Sequence, residues 1–512
     1  MEFTMIETGW VSLLPPIIAI ALALITKEVY SSLFIGLFSG MLIYAFAGGG
    51  SLFSAVAMTF DMMASKIADN AYMILFLALL WAVVLLVSKS GGSQAYGRWA
   101  GKKLKSKRSA SFATSLLGIL IFIDDGFNCL TVGTVMRPIA DRLRISREKL
   151  AYIIDATAAP VCIIAPVSSW AVAVASEVSE TGGFHIFLST IPYNLYALLT
   201  IFMVFFLSFT GRDFGPMKKA ESLAAGRAEE TDGETEAGKG EAAKGKASQG
   251  QVIDLVLPIL VLIVCAILGM AYVGGFFSGV SFSEAIGYNP TAGLTLGAFA
   301  GLLTAMLLYL PRKLMTAREF IGSIVEGIGK IVPPMLILIL SWSLGGVCRQ
   351  LIGTGVFISG FVGEANLPLG LLPLLIFVIA ALMSFSMGTS WGTFGMLIPI
   401  VTMICAAEGA GVYLIPALGA TLAGSVYGDH CSPISDTTIL SSTGSECQHI
   451  RHVETQLPYA TLVAAVCAVG YLISGLTRTP WIALPVCLVL LAAAILFFNR
   501  FDLIGKKAGS DV

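Results

Sequence analysis

Two adjacent carboxylates, Asp124 and Asp125, lie inside an apolar run, preceded by Ile121-Phe122-Ile123 and followed by Gly126-Phe127-Asn128. A charge at the centre of a bilayer costs roughly 2.5–3.5 kcal/mol on insertion scales. Two together cost more through mutual repulsion, unless a cation or a proton stays with them. Neighbouring residues point to different faces of a helix, so one of the pair is expected to reach a site. The competing expectation is that one or both satisfy free backbone N–H groups at a broken helix end. Asn128 and Thr131 follow three residues apart, placing neutral oxygens on one helical face, and Thr389, Ser390 and Thr393 repeat that offer after Ser386. Neutral oxygens with a carboxylate suit a dehydrated sodium ion, and Asp124, Asn128 and Asp436 are the expected Na+ ligands. Hydroxyls bonding back to carbonyls of the preceding turn are the bland alternative.

Two more polar breaks interrupt apolar segments. One joins Asp155 to Ala165-Pro166-Val167-Ser168-Ser169; the other reads Gly428-Asp429-His430-Cys431-Ser432-Pro433-Ile434-Ser435-Asp436-Thr437-Thr438. Pro166 and Pro433 lack a backbone donor and break a helix, freeing carbonyls for a ligand. Asp436, directly after the break, is the first choice for a carboxylate that carries an ion or proton. Asp429, seven residues earlier, would share its face on an unbroken helix. His430 titrates near neutral pH and could relay protons, or it is a satisfied buried histidine. Asp429, His430 and Cys431 with Cys447, His449 and His452 match no standard zinc spacing, and the last two are expected in a loop beside Arg451.

These motifs need a membrane around them. Of 512 residues, 56% are hydrophobic and only 12% charged, about half the charge of a soluble domain. A formal charge of −1 points to no nucleic-acid partner. The nine cysteines, scattered and mostly in apolar segments, form no paired framework and read as small buried hydrophobes. Stretches of the length a bilayer demands fall near 11–26, 29–47, 71–89, 150–178, 184–209, 252–274, 291–310, 331–348, 412–444, 457–475 and 481–498. Two others, 109–137 and 368–404, carry polar, glycine-containing middles; the first is flanked at both ends by basic clusters, and both read as re-entrant hairpins. The expected fold is all-α: a polytopic membrane protein of about eleven transmembrane helices plus two re-entrant hairpins, in two inverted-topology repeats. With the N-terminus outside and the C-terminus cytoplasmic, all Lys and Arg except Lys66, Arg349 and Arg478 fall inside, as the positive-inside rule requires. The expected location is a bacterial-type inner membrane.

Residues 1–211 form the first repeat, 251–480 the second, and 481–512 an extra C-terminal helix and tail. Between them 212–250 turns to Gly, Ala, Glu, Lys, Ser and Thr, a disordered cytoplasmic connector by composition. The repeats match in order and spacing. Trp81 precedes Gly126 by 45 residues and Trp342 precedes Gly388 by 46. Asp124–Gly133 aligns with Ser386–Gly395, and Ala165–Ser169 with Ser432–Asp436. One half begins outside and the other inside, so equivalent segments run in opposite directions. Secondary transporters built this way bind their cargo at discontinuous helices near the midplane.

The run GDHCSPISDTTILSSTGS at 428–445, followed by HVETQLPYA at 452–460, resembles the signature region of NhaC-type sodium/proton antiporters. FIDDGFNCLTVGTVMRPI and DATAAPVCIIAPVSSW resemble the matching first-half motifs. The resemblance implies an electrochemically driven exchanger in the wider ion-transporter superfamily, with Asp124, Asp125, Asp155, Asp429 and Asp436 as ion or proton carriers. Relatives of that family include movers of organic anions such as malate and lactate. Na+/H+ exchange is therefore the first expectation, and Na+- or H+-coupled transport of a small organic solute the second. Hydroxyl-rich hairpin tips, richer than a bare cation needs, keep the second in play. A channel or scaffold is a distant third, and no phosphate-binding loop or nucleophile triad supports an ATP-driven pump or an enzyme. No cofactor is expected beyond Na+ and H+; the lipid bilayer and a homodimer are the expected partners.

Overall fold

The computed structural model describes residues 4–178, 182–226, 250–357, 360 and 368–508. The described residues are helical with no strand. Among the described residues, eleven helices are long and apolar enough to cross a membrane. That is the expected number, with one exchange of membership. The stretch 150–178 is three pieces, Arg147–Ala156, Ala159–Cys162 and Ser169–Val178, because Thr157 and the Ala165–Ser168 segment leave the helix. Leu369–Met387, expected as one arm of a hairpin, is long enough to span on its own.

The first hairpin is Lys107–Leu120 followed by Asp125–Arg142. Asn128 holds its tip closed: the amide nitrogen donates to the carbonyls of Gly118 (2.6 Å), Ile121 (3.0 Å) and Thr157 (3.0 Å). The second hairpin is Leu372–Met387 followed by Ser390–Cys405. Gly388 at its turn has φ +68°, and a Cβ there would lie 2.8 Å from the Ile434 carbonyl oxygen, so only glycine makes this turn without strain. The second broken span is Leu414–Cys431, an irregular Ser432–Ser435, then Asp436–Ser445.

The halves interlock through these pieces. The first hairpin packs against Asp436–Ser445, backbone on backbone: a Cβ on Gly133 would sit 2.6 Å from the Cα of Gly444. Ser169–Val178 packs in turn on the second hairpin through Trp170, whose ring lies 5.6 Å from Trp391 and 5.7 Å from Phe394. Aromatic pairs at such distances add stabilisation beyond their buried area.

The basic clusters assemble on one end of the molecule. Arg142 reaches the carbonyls of Gly101 and Leu104, Arg137 and Arg147 bind Glu446, and Lys107 binds Glu221. Lys66, Arg349 and Arg478 are elsewhere; Arg478 stacks over Tyr413 at 5.3 Å. The connector starts later than its composition suggested. Gly215–Gly226 is a helix that buries Met217 and Ala220 and anchors Glu221 on the Ser146 N–H at 2.6 Å. Ahead of it, Asp213 forms a buried pair with Lys149 at 2.6 Å and accepts from the Tyr459 hydroxyl at 3.1 Å. The rest of the expected disordered stretch, 227–249, lies outside the described residues.

Candidate ion and substrate site

The four helix breaks meet at two connected places. The first is a cavity of about 410 Å³ between the Lys27-Glu28 turn, the Pro333-Pro334 stretch of the helix Ala317–Gly346, and the tips of both hairpins. Asp124, Asp125, Thr389, Asp436 and Thr437 line it. Lys27 and Lys330 stand on its wall with Tyr30, Trp81 and Trp391.

Local structure explains each placement. Asp124 caps the helix Asp125–Arg142, accepting the Phe127 N–H at 2.9 Å, and its other oxygen receives the Ser169 hydroxyl at 3.4 Å. Capping and cavity lining thus coexist in one carboxylate, because a cap leaves lone pairs over. Asp125 accepts its neighbour's N–H, that of Gly126, at 3.0 Å. Asp436 opens the helix after the Pro433 break, receives the Thr437 N–H at 2.9 Å, and is exposed to the cavity. Thr389 caps Ser390–Cys405. The caps align Asp124 with Thr389, three residues away from the sequence match to Ser386.

Behind Asp436 lies Asp429, fully buried, accepting from Ser390 at 3.1 Å and Thr437 at 3.4 Å, with its other oxygen unpartnered. The two carboxylates do not share a face, since Ser432–Ser435 leaves the helix between them. Ser432 and Ser168 brace the breaks themselves. Ser432 accepts the Ile434 N–H at 3.4 Å, and Ser168 accepts that of Ala171 at 3.0 Å while donating to the Cys162 carbonyl at 2.8 Å.

The second place is a buried polar cluster around Asp155. One of its oxygens accepts from Gln456 at 2.6 Å and Thr438 at 3.2 Å, with His452 Nε2 at 3.4 Å. His430 Nε2 lies 4.0 Å from the other oxygen, and its Nδ1 pairs with the Tyr196 hydroxyl at 3.1 Å. All of these side chains are buried. Gln456 also donates to the His430 carbonyl at 2.9 Å, tying three helices together.

Several expectations need correction. Ser386 bonds away from the cavity, to the Leu24 carbonyl at 3.3 Å. Thr393 bonds back to the Thr389 carbonyl at 2.9 Å. Asn128 spends its amide nitrogen on the hairpin and keeps its buried amide oxygen unpartnered, and neither it nor Thr131 is in the cavity wall that Asp124 and Asp436 line. His452 is in no loop: the helix begins at His449, and His452 is fully buried against Asp155. Gln456 is the residue that sequence reasoning missed, and His452 was placed in a loop rather than against Asp155. The signal for both was the stripe His452, Thr455, Gln456, Tyr459, at helical spacing in a largely apolar helix.

Discontinuous helices crossing between two halves, with carboxylates at the breaks, define a secondary-transporter architecture. The family model described as the Na+/H+ antiporter family matches residues 170–476, more than half of the chain, and the chain belongs to that family. An uncharacterized protein of Haemophilus influenzae is 36% identical over 93% of both chains. The malate-2H(+)/Na(+)-lactate antiporter of Bacillus subtilis is 31% identical over 36% of this chain and 38% of its own. The crystal structure of the Alcanivorax borkumensis YdaH transporter superposes with a TM-score of 0.52, at 13% identity, over 82% of this chain and 89% of that one. At that identity the likeness concerns the fold.

Proposed function

We propose that this protein is a secondary active transporter exchanging Na+ for H+ by alternating access, with the cavity carboxylates as carriers. The observation that carries the reading is the convergence of Asp124, Asp125 and Asp436 on one cavity between the halves. Asp124, Asp125 and Asp436 outnumber Lys27 and Lys330, the two lysines on the same wall, so a further cation or a proton is needed to balance them, because each carboxylate raises the cost of charging the others. Sodium and protons therefore compete for the same oxygens, which is the chemical requirement for exchange. Asp436, facing the cavity openly, takes the cation first; Asp124 and Asp125 share the remaining charge. The interlocked hairpins and broken spans supply the moving parts.

A second reading has its own observation. The cavity of about 410 Å³ is of the size that holds small organic ligands, and Lys27, Lys330, Trp81 and Trp391 on its wall would suit a carboxylate. The Bacillus subtilis relative, by its name, handles malate and lactate. In this reading Na+ or H+ couples to an organic anion at the same carboxylates. The protein works without a cofactor or catalytic residue, as a multi-pass protein of a bacterial-type inner membrane. Its N-terminus lies outside and its basic end in the cytoplasm, and a homodimer remains the proposed assembly.

The test is an imposed pH gradient across proteoliposomes. Added Na+ should dissipate it, and Asp436→Asn should remove that response.

A further inference from the structure

Glu177 lies outside the cavity and outside every network described above. It sits near the end of Ser169–Val178, eight residues beyond Ser169 and so about 12 Å further along the helix. It is fully buried, and neither carboxylate oxygen has a hydrogen-bond partner. Ser341 and Arg349 are the polar groups that act on it; the Ser341 hydroxyl donates to the Gly395 carbonyl, and Arg349 spends one N–H, that of Nε, on the Gly345 carbonyl while keeping its charge. The guanidinium stands in a five-residue π-helical turn, Val347–Leu351, the kind of distortion that often marks functional sites.

A second cavity, of about 280 Å³, ends at Ser176, the residue beside Glu177. Asp69, Asn70, Asn289 and Thr291 give it polar walls. It lies on the non-basic end of the molecule. Trp170, Trp391 and Phe394 stand along the same two helices between that end and the first cavity.

A buried carboxylate whose oxygens have no hydrogen-bond partner is costly to keep ionised and empty in a membrane bundle, and the nearby Arg349 guanidinium offsets that cost only in part. It lacks the several oxygens that a dehydrated sodium ion needs, whereas a proton needs one. We propose that Glu177 is the outer proton site of the exchanger: its carboxylate takes a proton from the external phase through the second cavity and holds it as a neutral acid. This rests on the exchange reading and its orientation. The step is a plain protonation, in which one carboxylate oxygen gains the proton and loses it again as the carrier turns.

Other titratable groups on the elements around Ser169–Val178 are badly placed for this role. Gly183–Thr190 offers His185, which is exposed; Ala71–Lys89 offers exposed Tyr72 and, at its far end, Lys89. Ala317–Gly346 has Arg318, Glu319, Glu326 and Lys330 near its basic end. Cys162, Cys348 and Cys405 are buried thiols. Lys66, one helix further out, is paired with Asp69 at 3.2 Å.

Glu177→Gln in proteoliposomes tests the proposal. Proton-coupled Na+ flux should fall at least tenfold and lose its dependence on external pH, while exchange of radiolabelled Na+ for Na+ stays within about twofold of the unsubstituted protein. An infrared band of a protonated carboxyl group that disappears on external alkalinisation should be present in the unsubstituted protein and missing in the variant. Unchanged coupled flux and pH dependence would overturn the proposal. If the variant loses both exchange modes, Glu177→Asp decides: coupled exchange restored with a displaced pH midpoint supports the site, and no restoration refutes it. If the unsubstituted protein shows no Na+-dependent proton flux, the exchange reading fails by itself, and the infrared band still decides the case of Glu177.

Discussion

Asp155 is held from several sides. Gln456, Thr438 and His452 meet it on one oxygen, and His430 approaches the other. Removing one partner of a buried charged group leaves the rest unsatisfied, at a cost of about 1–3 kcal/mol or more. Gln456→Leu should therefore lower thermal stability in detergent by several degrees; an unchanged melting temperature would show that the cluster is not under load. Asp436 is the contrast, exposed to the cavity and held by one backbone N–H. Asp436→Asn should leave the melting temperature within a degree or two and abolish transport. Sequence pointed to Asp124, Asp125 and Asp436 because charge inside an apolar run has few explanations. It was silent on the partners of Asp155, since Gln456 is 301 residues away and spacing carries no information at that range.

Hairpins and broken spans are the elements that do the positioning. Their places were legible where a polar break coincided with glycine or proline, as at Gly126, Gly388 and Pro433. The broken state of 150–178 was only half legible: its length and hydropathy satisfy a spanning helix, and the Pro166 motif alone did not show the earlier break at Thr157, between Arg147–Ala156 and Ala159–Cys162. The caps also corrected the repeat, moving the partner of Asp124 from Ser386 to Thr389, because helix starts, not residue identities, fix equivalence. Close packing of the first hairpin on Asp436–Ser445 depends on Gly133, where a Cβ would meet the Gly444 backbone at 2.6 Å. Gly133→Val should separate these elements, with transport and the yield of folded protein both falling severalfold. Full activity in that variant would mean that the close approach is not needed.

Across the whole molecule, the gathering of the basic clusters was readable from the loops, whereas the packing of the first hairpin on Asp436–Ser445 was not. Arg137, Arg147 and Glu446 gather chain segments about 300 residues apart onto one end, where the linking helix Gly215–Gly226 also docks. That end should be cytoplasmic. A reporter enzyme active only in the cytoplasm should work when fused after residue 512, and one active only outside should not; the reverse pattern would invert the orientation. The extent of the connector was misjudged because composition averages over a window, and the few apolar residues that dock it, Met217 and Ala220, are diluted by their neighbours.

The central claim is that the carboxylates of one cavity exchange Na+ for H+. Proteoliposomes carrying the purified protein and an imposed pH gradient test it most directly, with Asp436→Asn and Asp124→Asn alongside. The account predicts that Na+ alone dissipates the gradient and that each variant loses at least nine-tenths of that response. If Na+ alone does nothing and an added organic acid or amino acid opens the proton flux, the exchange account is contradicted and the organic-solute reading takes its place.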